Sequence, residues 1–470
     1  MSPRVRRFVC LLLFASLALP TYADNNRFIV RIKSGLDGLG VIRLVCSLVG
    51  CNVVRTLDGD PTGAPVQQGS LFLVDSVLGL NLGDLLSFTL RLLGVASAEP
   101  DLPLPLFGSG SSAPSVDDRS DAYTDYLYRN EPSSYYGSTV SRGYLEQPAV
   151  GIVRLRETQC TYGTSGAGVV AIIDTGIDPN HPALASVVLP GYDFTRNVSG
   201  GDESADFQST QESAALLDAD KKPFLVNQES AALLDQESAA LLDKNKDKLK
   251  AFGHGTMVAG VVHLVAPTAK ILPLKAFSSD GSAYLSDILR AINFAVQKKA
   301  KVINMSFSRS TSSAELKTAL DKAAASGVIA VASAGNEGVK ALRWPAAFEN
   351  VVGVASTSNS DARSDFSNYG SSLVWVAAPG EGVVTTYPRG NYAAVWGTSF
   401  STPIAAGTVA LFAGMKTTLS ASEAAWALSQ AKWVSSDLGY GRLDVYKAVR
   451  AGRLAWPTLS GTLGSTCGAQ

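Results

Sequence analysis

The sequence carries no excess of charge in either direction: 40 Lys and Arg balance 41 Asp and Glu. Surfaces that hold nucleic acid or anionic lipid are basic, so neither partner is indicated. Past the N-terminal stretch there is no run of about 18 apolar residues, so no transmembrane helix is expected. Histidine is scarce, with only His181, His254 and His263, and so is cysteine, with five in 470 residues. What the chain has instead is apolar residues, 46% of the total against 17% charged, enough for a large core. Its length suits two domains and their connections.

The N-terminus reads as an export signal over residues 1–23. MSPRVRR is a basic start, FVCLLLFASLAL an apolar core too short to cross a bilayer, and PTYA a small-residue cleavage site. A secreted protein, periplasmic or extracellular, is expected, with no membrane contact once the signal is gone. Export permits disulfides. Cys10 leaves with the signal, and Cys46, Cys51, Cys160 and Cys467 remain. Of the three pairings, Cys46 with Cys51 and Cys160 with Cys467 is favoured for a chain cut between the two sets; free thiols are the other reading.

Residues 26–105 have a small α+β pattern: RFIVRI and SLFLVDSV read as strands, and LGDLLSFTLRLL has helical spacing. The stretch AEPDLPLPLFGSGSSAPSVDDRSD is rich in Pro, Gly, Ser and Asp, and residues 106–144 read as an exposed linker. From 145 to 455 the texture changes. GVVAIID, KVINMSF, GVIAVASAG, NVVGVAS and VWVAAPG alternate with helical stretches such as LSDILRAINFAVQKK. Apolar strands without polar alternation indicate an α/β fold, a mostly parallel sheet with helices on both faces. Ligands bind such sheets beyond the carboxyl ends of the strands, so the residues there matter most. Residues 456–470 form a tail.

VVAIID ends in Asp174-Thr175-Gly176. Aspartic proteases use this triplet too, but their chemistry needs two carboxylates sharing a proton. No second DTG or DSG occurs, and the long α/β pattern opposes a small homodimer. His254 stands between Gly253 and Gly255 at the head of a helical run, MVAGVVHLV. Near neutral pH only histidine has an unperturbed pKa suited to a general base. His181 in DPNHPAL and His263 in VVHLV read as turn and packing residues. Ser399, in Gly397-Thr398-Ser399, leads into FSTPIAAGTVALFAG. Pro403 suits the first turn of a helix, which places Ser399 at the N-terminal end, where unpaired N–H groups favour negative charge. The pattern G-x-S-x-S is not the G-x-S-x-G elbow of α/β-hydrolases.

Taken together, in the order Asp, His, Ser, these motifs resemble those of the subtilases, the subtilisin-like serine peptidases. The resemblance covers roughly 145–450 and is most specific in IIDTGID, GHGTMVAG and GTSFSTPIAAG; Asn336 in SAGNEG matches the family's oxyanion-hole asparagine. It implies an endopeptidase acting on polypeptides through an acyl-enzyme, with Ser399 as nucleophile, His254 as base and Asp174 orienting the imidazole. Asn336 and the Ser399 N–H would hold the oxyanion. By the same resemblance, residues 26–105 look like an inhibitory prodomain, released by a cut between about Phe107 and Gly143 to leave a monomer. The pocket for the side chain before the cut would lie between Met305, Ser306 and Phe307 on one side and Ser333, Ala334 and Gly335 on the other. Arg343 would stand at its floor, either pairing with an acidic substrate side chain or reaching to solvent. The other functional class is a subtilase-fold binding or scaffold protein without turnover.

Departures from the family accompany this. No cofactor is needed for the chemistry. Calcium stays open as a structural ion, but HGTMVAGVVHLVAPTAK leaves no room for the family's tight site after the histidine helix, so no metal ligands are assigned. DKNKDK at 243–248 has three lysines and no glycine at its sixth position, and reads as a solvated charge run rather than a calcium loop. The distance from Asp174 to His254, 80 residues, far exceeds what similar enzymes need, so 200–250 is an insertion. It holds three identical copies of QESAALLD, at Gln211–Asp218, Gln228–Asp235 and Gln236–Asp243. An eight-residue period drifts about 80° per copy around a helix, so the copies build no sustained seam. An exposed acidic loop beside the active-site mouth is expected, without a catalytic role.

Overall fold

A computed structural model describes residues 26–77, 88–106, 125–206, 224–226 and 250–456. The signal segment, most of the linker, the QESAALLD copies, DKNKDK and the C-terminal tail lie outside the described residues. Two compact units result, one comprising 26–55 with Ser70–Leu102 and the other Thr56–Gly69 with the described chain from Pro103 onward.

In the first unit β1 (Arg27–Ile32), β2 (Cys51–Thr56), β3 (Leu71–Ser76) and β4 (Val95–Pro100) form one sheet in the order β2-β3-β1-β4. Two of its strands coincide with RFIVRI and SLFLVDSV. Helix Gly38–Val49 packs Ile42, Val45 and Cys46 against Phe28, Val30 and Phe72. The start of this helix is set by Asp37, which accepts from the Gly40 N–H. Gly50 ends it in the left-handed region, and the Cys46–Cys51 disulfide spans that turn. Cys160 in the second unit is also disulfide-bonded; Cys467, its expected partner, lies outside the described residues.

The second unit begins at β5 (Pro103–Pro105) and the hairpin of β6 (Pro132–Tyr135) with β7 (Ser138–Ser141). Its centre is an eight-stranded sheet. The strands are β8 (Val169–Asp174), β9 (Tyr192–Asp193), β10 (Val198–Ser199), β12 (Lys270–Lys275), β14 (Val302–Met305), β15 (Ile329–Ser333), β16 (Val351–Thr357) and β17 (Val376–Pro379). They run in the order β10-β9-β12-β8-β14-β15-β16-β17, all parallel except the β9–β10 edge pair. The chain leaves β8 for β12 on one side and returns for β14 on the other. β8 is therefore a switch point, and the crevice at its carboxyl end is where such a sheet accepts ligands. β11 (Phe224–Val226), at the heart of the expected insertion, lies parallel beside β19 (Asn391–Val395), which pairs with β18 (Val383–Tyr387). β13 (Ser282–Tyr284) pairs antiparallel with β5.

Two central helices carry the motifs. His254–Val265 is buried along its whole length, and Thr398–Met415 along nearly all of it, so neither needs a polar face. They cross where Gly407 meets Val265: a Cβ on Gly407 would stand 2.7 Å from the valine Cβ. Among the described residues no helix is long and apolar enough to cross a membrane.

Candidate active site

Asp174 closes β8, and its carbonyl accepts the N–H groups of Ala276 and Phe277 at 3.0 and 3.1 Å. Its Oδ1 lies 2.8 Å from His254 Nδ1, with both side chains almost wholly buried. An imidazole whose Nδ1–H donates to a carboxylate has Nε2 as its basic nitrogen. His254 is the first residue of its helix, so its position follows from how that helix starts.

Ser399 is the second residue of the Thr398 helix. Its Oγ donates to the Ser306 carbonyl at 3.0 Å, and Ser306 Oγ donates back to the Ser399 carbonyl at 2.8 Å. The second bond has a clear cause. Pro403 lies inside the helix rather than in its first turn, and has no N–H for the carbonyl four residues back. Ser306 supplies the missing donor. The Phe400 ring stands 5.5 Å from the His254 ring, between centroids. Asn336 Oδ1 accepts both the N–H and the hydroxyl of Thr398 at 2.9 Å, which ties the amide to the residue before Ser399 and leaves its N–H groups as its donor end. Asp174, His254, Ser399 and Asn336 are thus brought to one crevice.

The other histidines have structural surroundings. His181 Nδ1 accepts from the Ala183 N–H at 3.1 Å and Nε2 lies 2.9 Å from the Asn391 carbonyl. His263 is fully buried, edge-on to Tyr135, and neither ring nitrogen has a hydrogen-bond partner. Burial pushes its pKa down to about 4.

Met305, Ser306 and Phe307 at the end of β14, and Ser333 and Ala334 at the end of β15, are buried, and Gly335 follows with φ +93°. Arg343 faces an acid of the chain itself. Its side chain is only 15% exposed and its Nε lies 3.4 Å from Glu337 Oε1. Asn368 Nδ2 donates to the other oxygen of that carboxylate. An internal acid therefore already faces the guanidinium.

Two residues here had no motif to announce them. Glu203, in a short 3-10 turn Glu203–Asp206, is buried behind Asp174 and His254, and Lys275, at the end of β12, is fully buried beside Thr175. The range expected to be an insertion from 200 therefore opens with residues built into the site. Only their partners, Thr175 in DTG and Thr256 in GHGT, were visible as parts of motifs. Between the His254 helix and β12 there are only residues 266–269. Among the described residues no group of three or more His, Cys, Asp or Glu could hold a metal ion.

A buried carboxylate–imidazole pair near a serine at a helix N-terminus, on a doubly wound sheet, is an arrangement suited to serine-hydrolase chemistry. Comparison with known proteins narrows this: a profile of the subtilase family matches residues 166–442. The chain is 32% identical to thermitase of Thermoactinomyces vulgaris over 321 residues, covering 65% of this chain and 98% of thermitase. It is 31% identical over 300 residues to subtilisin NAT of Bacillus subtilis subsp. natto, covering 60% and 66%. With the thermophilic serine proteinase of Bacillus sp. strain AK1 it shares 33% identity over 303 residues, covering 62% and 63%. The chain belongs to the subtilase family and is a subtilisin-like serine endopeptidase.

Proposed function

We propose that the protein is a secreted, self-processing zymogen whose peptidase uses Asp174, His254 and Ser399. The observation that carries the triad is the 2.8 Å buried pair of His254 Nδ1 and Asp174 Oδ1 beside the Ser399 helix. Ser399 Oγ attacks the scissile carbonyl while His254 Nε2 takes its proton and later gives it to the leaving amine. Asp174 holds the tautomer and stabilises the imidazolium. The N–H donors of Asn336 and of the Ser399 backbone receive the charge that develops on the carbonyl oxygen. No metal is used in any step.

Self-processing is supported by β5. Pro103–Pro105 lies antiparallel on Ser282–Tyr284, and the Leu106 N–H donates to the Gly281 carbonyl at 2.7 Å. This is how an extended peptide adds to a free strand edge. Leu104 and Leu106 are buried, and a Cβ on Gly281 would touch Ala251, three residues before His254, and Leu106. The chain leading out of the first unit thus lies like a bound substrate near the site. The reading puts the maturation cut soon after Leu106 and makes residues 26–105 the inhibitor.

Intact mass of the wild type and of Ser399→Ala, after incubation at neutral pH, tests both parts. Loss of the N-terminal segment from the wild type alone is expected. Two chains that both stay whole and hydrolyse no peptide would instead favour a silent binding protein.

A further inference from the structure

The His254 helix has no side-chain cap of its own, since Gly253 precedes it in the left-handed region. Its first N–H groups nevertheless have acceptors. Glu203 Oε1 accepts the Gly253 N–H at 2.7 Å, and Oε2 accepts from Thr256 Oγ1 at 2.6 Å and, at 3.3 Å, from its N–H. Glu203 Oε1 also accepts from Thr175 Oγ1 at 2.5 Å, and Thr175 Oγ1 in turn accepts the Gly255 N–H at 3.0 Å. One carboxylate therefore holds the residue after Asp174, the residue before His254 and the residue two beyond it.

Thr256 Oγ1 accepts from the Asp178 N–H at 2.9 Å and Thr175 Oγ1 accepts from Gly255, and each hydroxyl donates its proton to Glu203, Thr175 with a second, longer contact to Asp174 Oδ1 at 3.3 Å. Four donors on two oxygens favour the carboxylate form. Its charge also lies at the N-terminus of a helix, the favourable end.

The charged and titratable groups around it pull in both directions. Burial and the Asp174 carboxylate raise the Glu203 pKa to about 7, while the threonine hydroxyls and Lys275 work against the rise. Lys275 Nζ donates to the Thr175 and Phe277 carbonyls and to Asp206 Oδ2, at 2.7, 2.8 and 2.7 Å. Tyr387 stands nearby with its own hydroxyl pushed up by burial and by Glu203.

We propose that Glu203 is a positioning residue: as an anion it locks the Asp174 turn and the start of the His254 helix into the one geometry that catalysis requires. The proposal rests on the triad reading above. A glutamine in its place has one acceptor oxygen, and its NH2 must face two or more donors, so the lock opens without loss of volume. Misplacement of a catalytic group by an ångström costs about 100-fold in rate.

The test compares the wild type with Glu203→Gln and Glu203→Asp, each expressed as the full chain and purified after self-processing, across the acid limb of the pH profile, with the unprocessed Ser399→Ala chain as the control. Glu203→Gln is expected to lose about 10- to 100-fold in kcat with KM unchanged. Its acid limb in kcat/KM should differ from that of the wild type, because the wild type gives up the Glu203 anion as pH falls through about 7 and the glutamine variant has no such group to titrate. Glu203→Asp, which keeps the charge, should keep the limb in place and lose less. Wild-type kcat in Glu203→Gln overturns the proposal, as does equal loss in both variants with the limb unmoved. If Glu203→Gln does not fold, Thr256→Val removes one hydroxyl donor at nearly constant volume; wild-type kcat and limb there overturn the proposal equally. Turnover by Ser399→Ala would instead bring down the triad reading itself.

Discussion

Gly255, between His254 and Thr256, is the most exacting small residue of the site. A Cβ there would lie 2.0 Å from the Gly176 carbonyl oxygen and 3.2 Å from Asp174 Cβ. Real Cβ atoms essentially never come within 3.0 Å of such a neighbour, so Gly255→Ala must drive the two apart by about an ångström. No flexible side chain can absorb the shift, because the obstacle is backbone. Both sides are also tied down, Gly255 by its N–H to Thr175 Oγ1 at 3.0 Å and Ile177 by its N–H to the Gly201 carbonyl at 2.8 Å. The displacement falls across the 2.8 Å contact between His254 and Asp174, and stretching it to ~3.8 Å ends it as a hydrogen bond. The expected loss is ~100-fold in kcat with little change in KM, and overpacking should cost about 1–3 kcal/mol of stability. Steady-state hydrolysis of a chromogenic peptide and a urea melt measure the two effects. Gly151→Ala is the control, because nothing lies within 4 Å of a Cβ at that position. Full activity in Gly255→Ala would refute the steric argument.

His263 predicts an acid-side weakness. Its folded pKa of about 4 lies below the usual 6.5, so the unfolded chain binds the extra proton and stability falls as pH drops through that window. The interval corresponds to about 3 kcal/mol. Glu203, raised to about 7, has the opposite sign: the native state holds its proton longer, so its contribution weakens stability as pH rises from about 4.5 to 7. His263→Leu should therefore gain on the wild type progressively as pH falls from 6.5 to 4, and a constant difference between their urea midpoints would contradict this. For Arg343, facing Glu337, no enrichment of Asp or Glu before the cut is expected in a cleaved peptide library; clear enrichment would show that the guanidinium turns to the substrate.

By itself the sequence determined the sheet and the family whose motifs it carries. GVVAIID, KVINMSF, GVIAVASAG, NVVGVAS and VWVAAPG are β8, β14, β15, β16 and β17, because strands buried on both faces must be apolar throughout and so stand out as uninterrupted runs. Asp174, His254, Ser399 and Asn336 were legible because each sits where a strand ends or a helix begins, inside glycine-marked motifs. Helix Gly38–Val49 escaped notice, its short apolar run not distinguishing helix from strand. The short edge strands β9 and β10 are two residues each and have no period to read. Pairing across long separations was left to the tertiary structure. Glu203 meets Gly253 across 50 residues, and Arg343 faces Glu337. A buried carboxylate has no sequence signature, since its cost is offset only by donors that folding brings to it.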